Sequence, residues 1–273
     1  AMGGDNAPLE FVKGALSGQK RWGVDVTLTG DTTAILQALE ACGEKTLPQV
    51  MEIVHTTEKV EMCDVPATVF RRKKDTSMGV GLTMLRAGRA AAMVSAGSTG
   101  ALLTGATLIG KRIRGIRRAA MAPVIPTTTG QAVLIDCGAN AECTPEYLVQ
   151  FAYLGSYYAR RVLGVERPRV GLLNIGAEDS KGTDLQKETL RWLREAHTAG
   201  HLNFIGNIEA KEAIKGGCDV IVCDGFSGNV LLKTMEGVGS FAGSALKAMF
   251  KKTLLTKLAA LCVLPGLTAF QAK

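Results

Sequence analysis

Short runs of β-branched and aliphatic residues alternate with longer stretches of helical periodicity along most of this chain. Apolar runs ending in small or polar residues predict strands over 25–30, 50–56, 92–97, 133–138, 170–176, 203–206 and 220–225. Apolar positions at three- and four-residue spacing predict helices over 31–42, 99–114, 144–163, 184–197 and 209–215. Asp31 and Thr144 stand where N-caps belong, each closing a strand-to-helix turn. The strand–helix alternation predicts an α/β fold with a mostly parallel sheet and helices on both faces. One exception is expected. The segments 121–126 and 131–135 flank Thr127-Thr128-Thr129-Gly130, which reads as a hairpin breaking the parallel order. No internal repeat or low-complexity linker divides the chain, so residues 1–273 read as one α/β domain or two lobes of it. A helical element protrudes at about 240–266.

The carboxyl ends of the predicted strands repeat one design. Gly97-Ser98-Thr99-Gly100, Asp136-Cys137-Gly138-Ala139-Asn140, the stretch from Asn174 to Gly182 that carries Lys181, and Asp224-Gly225-Phe226-Ser227-Gly228-Asn229 each follow an apolar run. Met2-Gly3-Gly4-Asp5-Asn6 has the same character. Small residues admit a ligand close to backbone amides, and helix starts favour an anion. In an open parallel sheet such loops converge at one crevice. A single Gly-rich turn means only a tight bend, whereas five of them with Asp, Asn, Ser and Lys predict a phosphate-sized polar site.

Composition narrows the function. The chain is 47% hydrophobic and 5% aromatic, which excludes a disordered or collagen-like polypeptide. No window supplies the roughly 20 apolar residues of a membrane span, and the first residues lack the basic and apolar regions of a secretory signal. Seven cysteines form no CxxC pair or zinc spacing, and read as reduced, mostly buried thiols of a cytoplasmic protein. His197 and His201 are four apart, but Gly200 between them ends the helix, so no metal site is expected. A GxGxxG fingerprint in strand–helix context is absent. The stretch from Gly105 to Lys111 imitates a P-loop, but Arg112 stands where Ser or Thr is required and the segment falls in a predicted helix.

The formal net charge is +7. Its cations cluster at Arg71-Arg72-Lys73-Lys74, at Lys111, Arg112, Arg114, Arg117 and Arg118, and at Lys247, Lys251, Lys252 and Lys257. Without interleaved aromatics or a nucleic-acid-binding motif, these patches fit an acidic protein or an anionic membrane surface better than nucleic acid. Leu254, Leu255, Leu258 and Leu261 recur at helical spacing beside the third cluster. That pattern suits a membrane-interface helix or an ordinary helix facing the core or a dimer.

The opening Ala1-Met2-Gly3-Gly4-Asp5-Asn6-Ala7-Pro8 resembles the N-terminal signature of bacterial phosphate acyltransferases of phospholipid synthesis. The stretches 95–102, 136–140, 174–182, 203–209 and 224–233 match in the same order. The resemblance implies transfer of a fatty acyl group from acyl carrier protein to inorganic phosphate, without cofactor or metal. It implies a three-layer α/β/α fold of the phosphotransacetylase and isopropylmalate dehydrogenase kind, a homodimer, peripheral membrane association through Leu254, Leu255, Leu258 and Leu261, and a downstream glycerol-3-phosphate acyltransferase as partner. It further implies a first strand before residue 1 and, beyond residue 273, Gly-rich and His-Gly-Ser segments near the site.

Phosphate is itself the nucleophile in that reaction, so no Ser or Cys triad is needed. The expected phosphate and oxyanion contacts are Gly3, Gly4, Gly97, Ser98, Thr99, Gly100, Asn140 and Asn229. Lys181 is expected to neutralise charge or donate a proton, with Asp5, Asp136 and Asp224 orienting the donors. The rival readings are a phosphotransacetylase acting on a coenzyme A thioester, a decarboxylating dehydrogenase whose Asp cluster the sequence lacks, and a non-catalytic membrane scaffold.

Overall fold

The computed structural model describes residues 1–253, 255–257, 259, 260, 263 and 266. The chain forms two compact units, Ala1–Ala119 and Ala120–Lys273.

Unit 1 is built on a two-stranded parallel sheet, β1 (Val26–Gly30) beside β2 (Met51–His55). Helices α1 (Leu9–Trp22) and α2 (Thr32–Ala41) cover it, burying Val12, Leu28, Ile35, Leu39 and Met51 in one cluster. Asp31 caps α2 as expected, its Oδ1 accepting from the Ala34 N–H at 2.7 Å. A second cluster of Val60, Val69, Met78, Leu82 and Ala101 joins α3 (Pro66–Arg72), α4 (Ser77–Arg86) and α5 (Thr99–Gly105). One π turn, Ala106–Gly110, prolongs α5, so the P-loop imitation is helical up to Gly110 rather than a loop. The strand expected over 92–97 makes no ladder among the described residues. Helices α1, α3 and α4 had no counterpart in the periodicity, because α3 is short and α4 carries Gly79 and Gly81 within its apolar face.

Unit 2 holds a five-stranded sheet in the order β3 (Val124–Thr127), β4 (Gly130–Ile135), β7 (Val220–Val222), β5 (Val170–Leu173), β6 (Phe204–Ile208). β3 is antiparallel to β4 through the expected hairpin, and the other pairs are parallel. Side chains alternate between two cores. Val133, Ile135, Val170, Leu172, Val220 and Val222 pack on one face against α6 (Pro145–Val162) and α7 (Asp184–Thr198). Ala132, Leu134 and Ile221 pack on the other, against α8 (Ala210–Ile214) and the start of α9 (Gly225–Lys251). Burial on both faces explains why these strands read as continuous apolar runs rather than alternating ones. Gly155 lets α6 lie close on the sheet, since a Cβ there would sit 2.5 Å from Val220 Cγ1. At the amino ends of β5 and β7, Arg169 grips Asp219 through Nε at 3.1 Å and Nη2 at 2.9 Å. That leaves the carboxyl ends free for chemistry.

Candidate active site

In unit 2 the strands β4, β7 and β5 are neighbours and parallel, so their following turns lie along one sheet edge. Asp136, directly after β4, is fully buried. Its Oδ1 accepts from the N–H groups of Met121 at 2.9 Å, Cys137 at 2.6 Å and Ala139 at 3.3 Å. Its Oδ2 accepts from the Asn140 N–H at 2.7 Å and from Asn140 Nδ2 at 2.9 Å. These five bonds saturate the carboxylate, which therefore shapes the turn and keeps no acceptor position open to a ligand's donor.

The same turn is tied to the one after β7. Asp136 N–H donates to the Cys223 carbonyl at 3.0 Å, and Gly225 N–H donates to the Asn140 carbonyl at 2.8 Å. Glycine is required at two places in that junction. A Cβ on Gly225 would lie 2.6 Å from the Asn140 carbonyl oxygen, and one on Gly228 would lie 2.0 Å from that of Asp136. Asp224 caps α9, its Oδ1 accepting from Ser227 N–H at 2.9 Å and its Oδ2 from Ser227 Oγ at 2.8 Å. Asn229, one turn into α9, is exposed beside Gly138, with Oδ1 3.7 Å from the position of a Gly138 Cβ. Gly138 has φ +94°, a conformation that keeps that side of the turn bare.

The turn after β5 is held by two asparagines. Asn174 Oδ1 accepts from Ile175 N–H at 2.8 Å and Nδ2 donates to the Lys181 carbonyl at 3.2 Å, drawing the ends of 174–182 together. Asn207 Nδ2 donates to the Glu178 carbonyl at 3.1 Å from β6. Lys181 and Glu178 both fold over Gly176, where a Cβ would meet Glu178 Oε2 at 2.7 Å and Lys181 Cγ at 2.9 Å. The Lys181 side chain is exposed.

Unit 1 carries its own pair of turns. A Cβ on Gly3 would lie 3.1 Å from Gly97 Cα, and one on Gly4, at φ +104°, 3.0 Å from the Ala96 carbonyl oxygen. Ser98 caps α5 with Oγ accepting from Ala101 N–H at 3.4 Å, while Thr99, Gly100 and Asp5 are exposed. Thus Gly3 and Gly4 lie against Gly97 and Ala96 in unit 1, with the exposed Asp5 next in the chain, and the turns carrying Asp136, Asn140, Asp224 and Asn229 meet in unit 2. Lys181 stands on the next turn of the same sheet edge.

Two of the nearby thiols are buried and held toward the protonated form. Burial, and then the neighbouring acidic side chains Asp224 and Asp136, push Cys223 well above the ordinary thiol range. Burial and then Asp136 also raise Cys137. Among the described residues no three His, Cys, Asp or Glu side chains group as metal ligands. Asn174, Asn207 and Ser227 had no assigned role from sequence. The Asp-x-x-x-Asn spacing of 136 and 140 is the kind of signal that flags such a clasp, since Asx side chains bond amides a few residues on.

The whole chain, residues 1–273, matches the family model described as "Fatty acid synthesis protein". The chain belongs to that family. Over 273 residues it is 45% identical to the phosphate acyltransferase of Alkaliphilus oremlandii, covering 100% of this chain and 80% of that protein. It is 46% identical over 275 residues to the phosphate acyltransferase of Brevibacillus brevis, again covering 100% and 80%. Family membership at this identity makes the chain an acyltransferase. Among solved structures, a phosphotransacetylase from Streptococcus pyogenes superposes with a TM-score of 0.67 at 18% identity, covering 86% of this chain and 80% of that one. The EutD phosphotransacetylase from Staphylococcus aureus gives 0.55 at 18%, covering 85% and 86%. These likenesses establish the phosphotransacetylase-like fold of this family member.

Proposed function

We propose that the chain transfers a fatty acyl group from the thioester of acyl carrier protein to inorganic phosphate, giving acyl phosphate for phosphatidic acid and phospholipid synthesis. The supporting observation is the strand-end edge of unit 2, where a saturated Asp136 holds Asn140 and the α9 start around a bare Gly138 surface. Phosphate oxygen attacks the thioester carbon, a tetrahedral oxyanion forms, the C–S bond breaks, and the carrier's thiolate takes a proton. Fixed amide donors stabilise the oxyanion with little reorganisation. Asn140 and Asn229 are assigned that role, Asn140 through the side-chain N–H it does not give to Asp136, and Gly3, Gly4, Gly97, Ser98, Thr99 and Gly100 are assigned to phosphate contacts. Lys181 neutralises charge or protonates the leaving thiolate. Asp5, Asp136 and Asp224 orient the donors. Incubating the protein with acyl carrier protein thioester and phosphate, and trapping acyl phosphate with hydroxylamine, tests the reading. Product from coenzyme A thioester alone would turn it into a phosphotransacetylase, and no product from either donor would sink it.

No described helix is long and apolar enough to cross a membrane. We place the protein in the cytoplasm, peripherally bound to anionic membrane as a homodimer and supplying a glycerol-3-phosphate acyltransferase. In support, α9 packs on the core only through its start, with Gly225 and Gly228 buried and Leu231, Leu232 and Met235 partly buried, while its later part exposes Val238, Phe241, Leu246 and Met249. Leu255 is 80% exposed, while Leu254, Leu258 and Leu261 lie outside the described residues. Vesicle binding that survives Leu255→Glu together with Leu258→Glu would remove the membrane role.

A further inference from the structure

The positive charge of this chain is not spread evenly. Between Asp75 and Asp136 there is no Asp or Glu, while Arg86, Arg89, Lys111, Arg112, Arg114, Arg117 and Arg118 supply seven cations. That equals the whole formal net charge of +7, leaving 25 cations against 25 acids elsewhere.

The fold of unit 1 gathers these cations at one end. A Cβ on Gly97 would meet Met78 Cε at 3.2 Å, and one on Gly105 would meet Leu82 Cδ1 at 2.5 Å. The helix α4 and the run of α5 with its π turn therefore lie side by side in the same direction, and α4 packs on the π turn. Arg86 and Arg89 at the end of α4 thus share an end of the unit with Lys111, which leaves the π turn at φ +69°. The loop that follows has a defined shape. The Arg112 guanidinium donates to the Arg117 carbonyl, and Ile116 N–H donates to the Ile113 carbonyl at 3.1 Å. Lys111, Arg112 and Arg114 are exposed, beside Leu108 and a 70% exposed Ile113. Among the described residues no carboxylate pairs with Lys111, Arg112 or Arg114.

We infer that the 111–118 loop, with Arg86 and Arg89, docks an acidic protein surface. Resting on the proposed function, that surface is the carrier protein bearing the acyl thioester. Charge complementarity carries the choice: Lys111, Arg112 and Arg114 are exposed, and the planar Arg fork matches carboxylates. A membrane fits less well. No Phe, Tyr or Trp lies between Phe70 and Tyr147 to anchor at a lipid interface.

The test is calorimetric binding of acyl carrier protein to the full chain, at low and high salt, for wild type, Lys111→Glu/Arg114→Glu and Arg71→Glu/Arg72→Glu. The first variant is expected to bind at least about tenfold more weakly, with the salt dependence reduced. The second variant, which reverses another basic patch, should bind as wild type does. In turnover, KM for the carrier-bound donor should rise in the first variant while kcat and KM for phosphate hold. Unchanged carrier affinity in the first variant overturns the inference, as does a loss confined to the second. Lost binding to phosphatidylglycerol vesicles with carrier affinity intact reassigns the loop to the membrane. If wild type binds the carrier but makes no acyl phosphate, the proposed function fails and the docking assignment stands.

Discussion

Asn140 reaches one oxygen of Asp136 twice, through its main-chain N–H at 2.7 Å and its side-chain amide at 2.9 Å. The pair turns a buried charge into a rigid loop, because every acceptor position of the carboxylate is filled from its own surroundings. Replacing Asp136 with Ala strands the Met121, Cys137, Ala139 and Asn140 donors together. Hydrogen bonds to charged groups contribute about 1.5–3 kcal/mol each and do not add simply, so a loss of about 3 kcal/mol or more is expected. Urea unfolding of Asp136→Ala measures it. A midpoint near that of wild type would show the carboxylate to be dispensable.

Glycines along α9 should separate by position. Gly228→Ala places a methyl group 2.0 Å from the Asp136 carbonyl oxygen and must push the helix start off the sheet edge. The expected destabilisation is about 1–3 kcal/mol or more. Gly237→Ala has nothing within 4 Å and should stabilise the helix by about 0.5–1 kcal/mol. Thermal melts of the two variants check the contrast in sign.

Lys181 is exposed and makes no side-chain bond that shapes the turn, since its carbonyl, not its ammonium, meets Asn174. Lys181→Ala should therefore fold like wild type. On the proposed mechanism, acyl-phosphate formation should fall by about 10²-fold, the scale for losing one charge-stabilising donor. Near-normal turnover would take Lys181 out of the chemistry.

The Arg169–Asp219 clamp gives a pH dependence of known sign. Burial opposes charge on Asp219, but the Arg169 guanidinium and main-chain N–H outweigh it and hold the carboxyl below its usual range. A carboxyl depressed on folding contributes stability that is complete above its unfolded value, 3.8, and is lost as pH falls through the folded one. Asp219→Asn should lower stability at neutral pH and flatten the acid limb of the stability curve. Denaturant midpoints across that range read it.

Thiol reactivity should follow burial. Cys218 is pushed up to about 12 by burial and then by Asp219, and Cys223 well above the ordinary range, whereas Cys63 is exposed. Alkylation of the native protein at mildly alkaline pH, mapped by mass spectrometry, should mark Cys63 and spare Cys137, Cys218 and Cys223. Rapid labelling of any of the three would contradict the described packing.

Local chemistry determined much of this protein from sequence. Paired apolar runs and turn residues marked β1, β2, the β3–β4 hairpin and the strands β5 to β7. Asp31 announced its helix, and the Gly-rich turns marked where a polar site belongs. Such signals are legible because backbone geometry and burial act on neighbours in the chain. Other features depended on partners far away in sequence. The run at 92–97 looked like a strand, yet strandhood requires a ladder partner that hydropathy does not encode. Helix α9 was foreseen at about 240–266 and at its opening turn after Asp224, but not as one run, because Gly237 and Gly239 interrupt the pattern between them. Asp136 was legible as a polar strand-end residue. Its saturation, by a hairpin residue and by the loop it caps, was decided only when tertiary packing brought Met121 and Asn140 to the same carboxylate.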